Sequence, residues 1–255
     1  MNSAFIITQE LHGNYRNEFG VLKKFCVITK SMKFCVVGSG GVTIIKKFTG
    51  RGLAEDRKKP DIVVTYGGDG TILAAERLYP GVPKLPIRKS VICSRCKNYD
   101  TGSLDKIIEK LIAGDYEITE KAKLEAFAGG KKLLALNEIQ VRSKKPYKAL
   151  RFSVRTKDRI FENIIGDGIV VSTPYGSTAY YKTIGYEPFT EGIKLGFNNT
   201  NPKLSAARVK GVSTVTIMRE DGIVIADNNP QTVLAKPGEK IKIRESDKKA
   251  RFVEI

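Results

Sequence analysis

The chain has 255 residues, enough for two modest cores, and its 41% hydrophobic and 28% charged content excludes a dominantly disordered protein. Forty-four lysines and arginines against 27 acids give a net charge of +17, so the expected partner or substrate is polyanionic. No apolar run approaches the roughly 20 residues that span a bilayer, and the opening MNSAFIITQELHG has neither a basic stretch nor a small-residue cleavage site, so a cytoplasmic protein without a membrane partner is expected.

In chain order, SAFIITQ reads as a strand, residues 15–29 as a helix, KFCVVGSG as a second strand and DIVVTYGG as a third. TILAAERLY opens a helix directly after a glycine turn. SLDKIIEKLIAGDYE is the clearest helix, with Leu104, Ile107, Ile108, Leu111 and Ile112 on one stripe, Ser103 as its N-terminal cap and Gly114 just past its end. From Glu117 the pattern turns to strict alternation in EITEKAKLEAFAG, LLALNEIQVRS, ALRFSVRT and RIFENIIGDGIVVS. STVTIMREDGIVIADN and KIKIRESDKKARFVEI continue it. The expected fold is therefore an N-terminal parallel α/β domain over residues 1–115, followed by an antiparallel β-sandwich-like domain over 116–255. The last residues, about 10 of them, are candidates to return to the first domain.

The basic residues are spread along the chain in clusters such as DRKKP, RSKKPYK and SDKKARF, without a single arm or recognition helix. Nucleotides or polyphosphate are at least as good a reading as nucleic acid. Of the four cysteines, Cys93 and Cys96 have metal-ligand spacing, yet a zinc site would need a second such pair; a reduced thiol pair or a local disulfide is the alternative. Cys26 and Cys35 lie in apolar surroundings and read as buried, and His12 as a surface residue.

Three stretches carry chemistry. In VTYGGDGTIL a hydrophobic strand runs into Gly67-Gly68-Asp69-Gly70-Thr71 and then a helix, which puts the loop at the carboxyl end of a strand, where open α/β sheets bind ligands. Glycines let backbone N–H groups approach an anion, and the helix start favours negative charge. Asp69 among phosphates has three readings: a general base for a hydroxyl attacking phosphorus, an indirect magnesium ligand, or a cap of the following helix. Asn137-Glu138 interrupts the apolar LLALNEIQV. Adjacent strand residues face opposite sides, so one of the pair can enter a core; a glutamate at a cleft can accept from both hydroxyls of a ribose, and an exposed strand end is the plainer reading. In IIGDGIVVSTPYGSTAYYKTIGY, Asp167-Gly168 makes a turn and IVVS a buried strand. Ser172 to Thr178 is dense in hydroxyls, Ser177 or Thr178 can cap a helix from Ala179, and Tyr175, Tyr180 and Tyr181 can stack on a base or ribose.

Taken in this order, the three stretches resemble the NAD kinase family, which carries a Gly-Gly-Asp-Gly-Thr turn, an Asn-Glu pair and a Gly-Asp-Gly to Ser-Thr-Pro-x-Gly-Ser-Thr-Ala-Tyr segment. Here these are Gly67 to Thr71, Asn137-Glu138 and Gly166 to Tyr180. The resemblance implies phosphorylation of NAD at the 2′-hydroxyl of its adenosine ribose, with ATP or polyphosphate as donor, Mg2+ or another divalent cation on the phosphates, and a homo-oligomer. It makes Asp69 the acceptor of the hydroxyl proton and Gly67, Gly68, Gly70 and Thr71 the phosphate turn. Asn137 and Glu138 would hold nucleoside groups and Asp167 would support the ligand. Ser172, Thr173 and Ser177 belong to the binding segment, and Thr178, Ala179 and Tyr180 would contact adenine and ribose. Thr183 stands where the family often has serine, and Asn228 stands in the late Asp-Gly or Asp-His turn. LPIRKSVICSRCKNYD, with Arg88, Lys89 and Arg95, replaces the family's Gly-Ile-Asn-x-Gly-x-x-Gly-Phe, and IGYEPF replaces its Gly-Gly-Pro.

The same glycine turn occurs in diacylglycerol and sphingoid lipid kinases and in phosphofructokinases, but the lipid kinases' Gly-Thr-x-Asn-Asp and the sugar kinases' Thr-Ile-Asp-Asn-Asp patterns are missing here. A lipid kinase is the enzymatic alternative, and a non-catalytic nucleotide-binding or nucleic-acid-binding protein the alternative of another class.

Overall fold

The computed structural model describes residues 31–89 and 99–255. The strand expected in SAFIITQ, the helix over 15–29, His12, Cys26, Arg95 and the Cys93/Cys96 pair lie outside the described residues. The chain runs through β1 (Lys33–Val37), α1 (Val42–Gly50), β2 (Ala54–Glu55), β3 (Ile62–Gly67), α2 (Asp69–Leu78), β4 (Lys84–Arg88), a 3-10 turn (Thr101–Ser103), α3 (Leu104–Ala113) and β5 (Glu117–Lys121). There follow β6 (Leu124–Ala128), β7 (Lys131–Ala135), β8 (Glu138–Ser143), β9 (Leu150–Arg155), β10 (Ile160–Gly166), β11 (Gly168–Ser172), the short α4 (Tyr180–Thr183) and β12 (Ile193–Asn198). The last elements are β13 (Ala207–Val209), β14 (Ser213–Arg219), β15 (Gly222–Ala226), β16 (Val233–Ala235), β17 (Lys240–Glu245) and β18 (Ala250–Glu254).

The first sheet has the order β2-β1-β3-β4-β18-β5. Strands β1, β3 and β4 are mutually parallel, which requires the crossovers that α1 and α2 supply. Central β3 is buried on both faces, which is why Ile62-Val63-Val64 reads as a continuous apolar run. On one side its residues pack with α1 and α3 around Phe34, Phe48, Ile108 and Leu111. On the other, Cys35 and Val63 pack against Ala75 of α2.

Leu104, Ile107, Ile108 and Leu111 of α3 are buried as the stripe predicts, and Gly114 closes the helix in the left-handed conformation at φ 72°. Ile112 is instead 43% exposed, because it stands about 100° round the helix from Leu111 and falls off the stripe. Ser103 does not cap α3 with its side chain. It is held in a reciprocal box with Asp100, whose Oδ1 accepts from Ser103 N at 2.9 Å while Ser103 Oγ accepts from Asp100 N at 3.1 Å.

Two antiparallel six-stranded sheets follow, ordered β10-β9-β14-β17-β6-β7 and β13-β12-β11-β8-β15-β16. Alternate residues of each face inward and interdigitate, Ile139, Val141, Ile169, Val171 and Leu195 against Phe152, Val154, Val215, Ile217 and Ile243. The chain thus has the expected parallel-containing α/β part and the antiparallel sandwich. Two strands beyond residue 115 nevertheless belong to the first sheet: β18 pairs parallel with β4 and antiparallel with β5. Alternation in the sequence of β5 marks a strand with unlike faces and says nothing about which sheet it joins. The two halves are sewn together where Ile72 and Leu73 of α2 meet Leu136, Ala250 and Phe252, with Tyr175 stacked on Phe252 at 5.3 Å.

Candidate active site

Strand β3 delivers Gly67 and Gly68 to the start of α2, whose first residue is Asp69. A Cβ on Gly67 would lie 2.2 Å from Thr71 Oγ1, so a side chain there has to displace Thr71; at Gly68 a Cβ would meet nothing within 4 Å. Beside this turn a second glycine turn, Gly38 to Gly41, leads from β1 into α1, and a Cβ on Gly38 would lie 2.0 Å from Tyr66 O. Lys89 Nζ donates to Ser39 O and Ser39 Oγ, each at 3.0 Å, and lies 5.7 Å from the Tyr66 ring centre. Ser39 and Lys89 were not among the expected residues, although Gly-Ser-Gly-Gly between a strand and a helix is a legible signal.

Asn137 and Glu138 are each 5% exposed, not an exposed strand end. Ile139 and Val141 of β8 turn into the sandwich core, leaving Glu138 and Gln140 together on the other face, with Gln140 Nε2 donating to Glu138 Oε1 at 3.3 Å. The Asp227 carboxylate fixes the start of this strand by accepting from the backbone N–H groups of Leu136, Asn137 and Glu138 at 2.8, 2.7 and 3.2 Å. It does so from a left-handed turn at φ 51° after β15. Asn137 Oδ1, Glu138 Oε2 and Gln140 Oε1 are buried acceptors with no hydrogen-bond partner among the described residues. An unmet buried acceptor costs about 1–3 kcal/mol, so three in one place mark a surface made for hydrogen-bond donors. Burial, and then the nearby Asp227 charge, push the Glu138 carboxyl up to about 7. Burial pushes Asp227 up to about 6, against the lowering pull of its three backbone donors and Lys123.

The third segment folds onto Asn137. A Cβ on Gly176 would lie 2.2 Å from Asn137 O, and Thr173 N donates to that same carbonyl at 2.9 Å. Ser172, Thr173 and Ser177 are buried, and their hydroxyls donate to backbone carbonyls: Ser172 to Thr173 O at 3.0 Å, Thr173 to Leu136 O at 2.7 Å, Ser177 to Pro174 O at 2.8 Å. These hydroxyls hold the loop. Neither Ser177 nor Thr178 caps α4 with its side chain; the helix begins at Tyr180 with Ala179 before it, Ser177 being committed to Pro174 and Phe189. Thr178 is exposed, Ala179 and Tyr180 are partly so, and the Tyr180 ring lies 5.5 Å from the Arg142 guanidinium. Thr183 Oγ1 donates back to Tyr180 O at 2.8 Å.

Tyr181 is 1% exposed and stacked on Tyr186 at 5.2 Å, so it packs as core and offers no face to a base. Asp167 stands at the opposite end of β11 from Ser172, about 16 Å away along the strand, where its carboxylate accepts from Asn199 Nδ2 at 3.1 Å. It does not join the residues gathered round Asn137. Asn228 does: its Nδ2 donates to Gly70 O at 3.2 Å and its Oδ1 accepts from Arg77 at 3.2 Å, latching the 227–228 turn to α2. The glycine turn, Asn137-Glu138, the 172–180 loop and Asp227-Asn228 thus meet in one place.

Residues 136–255 match the family model of the ATP-NAD kinase C-terminal domain. The chain is 29% identical over 206 residues to the bifunctional NADP phosphatase/NAD kinase of Methanococcus maripaludis, and covers 75% of this chain and 36% of that one, so it spans about a third of that relative. It resembles in fold the crystal structure of an Archaeoglobus fulgidus NAD kinase in complex with ATP, with a TM-score of 0.73, 25% identity, and coverage of 87% of this chain and 93% of that one. Against the NAD kinase of Methanosphaera stadtmanae it is 30% identical over 208 residues, 76% of this chain and 73% of the relative, and on that extent of likeness the chain belongs to the NAD kinase family.

Proposed function

We propose that the protein transfers the terminal phosphoryl group of ATP, or of polyphosphate, to the 2′-hydroxyl of the adenosine ribose of NAD, giving NADP and the shortened donor. The observation that carries this reading is the set of unmet acceptors on Asn137 and Glu138 beside the glycine turn that bears Asp69. Ribose hydroxyls are donors, and an ionised Glu138 with the Asn137 amide oxygen accepts from them. Asp69 takes the proton of the 2′-hydroxyl as its oxygen attacks the terminal phosphorus and the bond from phosphorus to the bridging oxygen breaks. The bridging oxygen leaves with the shortened donor, and Asp69 releases its proton to solvent. Backbone N–H groups of the paired glycine turns, the starts of α1 and α2, and Lys89 favour the phosphates.

Among the described residues no three histidine, cysteine or acidic side chains gather as a metal cage, so the proposed divalent cation arrives on the phosphates as part of the donor. No helix among the described residues is long and apolar enough to cross a membrane. A cytoplasmic setting and a homo-oligomer complete the proposal.

The test is direct: purified protein with NAD, magnesium and either ATP or polyphosphate is expected to form NADP. Absence of NADP with both donors would overturn the reading.

A further inference from the structure

Behind the site lies a group of buried charges that the transfer itself does not use. Glu76 of α2 is 3% exposed, and its two carboxylate oxygens are divided between two buried ammonium groups. Oε1 accepts from Lys123 at 2.6 Å and Oε2 accepts from Lys84 of β4, which also donates to Tyr79 O at 2.8 Å. Two cations on one carboxylate leave a buried surplus of one positive charge, an arrangement that costs desolvation and is poorly explained as stabilisation alone.

The group ties α2 to the β5–β6 junction through the Glu76–Lys123 bond, on the same helix that packs on Leu136, whose N–H Asp227 holds. Lys123, between β5 and β6, bears on Asp227 with an attractive field. Leu136, whose N–H Asp227 holds, packs on Ile72 and Leu73, the face of α2 between Asp69 and Glu76. Positions 69, 72, 73 and 76 share one side of the helix. Counting Asp227 balances the group: two lysines against two carboxylates, drawn from α2, β4, the β5–β6 junction and the turn after β15. The charged groups bearing on Asp227 are Glu138 from β8 and Lys123; behind Lys123 stand Glu76, Lys84 and, acting on Lys84, Arg251. Arg77 donates to its neighbour Asn228.

We propose that Glu76 and Lys123 are positioning residues: a buried charged strut that fixes the Asp227 clamp, and with it Asn137 and Glu138, relative to the helix that begins at Asp69. Its catalytic consequence rests on the kinase reading above; its effect on Asp227 does not. The strut makes the two variants behave oppositely. Lys123→Met leaves a neutral Lys84–Glu76 pair and removes the cation that favours ionised Asp227. Glu76→Gln keeps the hydrogen-bonding shape and frees the ammonium of Lys123 towards Asp227.

The experiment is a carbon-13 titration of the Asp227 carboxyl in the full chain without substrate, with the acid limb of kcat/KM for NAD measured alongside. Lys123→Met is expected to raise both midpoints by about 1 pH unit and Glu76→Gln to lower them, while Lys123→Arg restores the wild-type midpoint. A merely structural role would reduce stability in both variants and move neither midpoint. Unchanged or same-direction Asp227 midpoints in the variants that fold overturn the strut. If wild type forms no NADP, the kinase reading fails while the titration still decides the strut.

Discussion

The two halves of the site are built by opposite means. On the proposed reading the donor side is a pair of glycine turns offering backbone N–H groups, where a side chain on Gly68 would meet open space. On the same reading the acceptor side is a packed set of polar side chains, with Asn137 and Glu138 each 5% exposed and Asn137 Oδ1 and Glu138 Oε2 unmet among the described residues. Phosphates are alike in every donor and need only a concave row of N–H groups, whereas selecting one hydroxyl among several needs side-chain atoms fixed in place. On the proposed reading, the costly polar burial is concentrated where discrimination is required.

The sharpest way to separate the halves is at the reacting atoms. Asp69→Asn is expected to lower kcat by about 10^2–10^4-fold with little change in NAD affinity, since it removes the proton acceptor and keeps the shape; steady-state kinetics and calorimetric NAD binding check both. On the acceptor side, Glu138→Gln is expected to weaken NAD binding by about 10–100-fold with a smaller change in kcat, the loss of a charge-assisted hydrogen bond. A kcat effect without a KM effect would break the division of labour drawn above.

The same variant should change the response to pH. Glu138 is raised from its ordinary 4.5 to about 7 and Asp227 from 3.8 to about 6. Their contribution to stability is therefore full below about pH 4 and is lost as pH rises through 6 to 7, because the folded state then has to ionise buried groups. Thermal unfolding without ligand should show this decline, and Glu138→Gln should remove its upper part. NAD affinity should run the other way, rising through pH 7 as the carboxylate forms. The smallest contrast lies within the glycine turn. Gly67→Ala should lower stability by about 1–3 kcal/mol as Thr71 is displaced, and Gly68→Ala should leave the unfolding midpoint nearly unchanged; chemical denaturation compares them.

This contrast also governs what could be read from the amino-acid sequence. The glycine turn is contiguous, so its spacing between an apolar strand and a helix declares it. Asn137-Glu138 is visible as polarity inside an apolar strand, but its clamp is not: Asp227 comes from 89 to 91 positions away through a left-handed turn. Glu76 and Lys123 carry no signal in the sequence, because local pattern does not reveal that Glu76 is buried between Lys123 and Lys84. Ser172, Thr173 and Ser177 show the limit of hydroxyl density as a signal. It marks a binding segment in the sequence, but not that these hydroxyls donate to backbone carbonyls, Thr173 to Leu136 O outside its own loop. For the fold, the stripe of α3 and the alternation of the sandwich strands were legible, whereas the sheet joined by β5 and β18 depends on a pairing 135 residues apart.

That last pairing has a consequence for how the molecule comes into being. Because β18 lies between β4 and β5, the layer that begins at residue 33 cannot be completed until residues 250–254 have left the ribosome. The strands of the sandwich lie between in the sequence. Synthesis therefore starts at the glycine turns and comes back to them at its end: Ala250 and Phe252, which pack on Ile72 and Leu73 of the helix that begins at Asp69, are made after every strand of the sandwich.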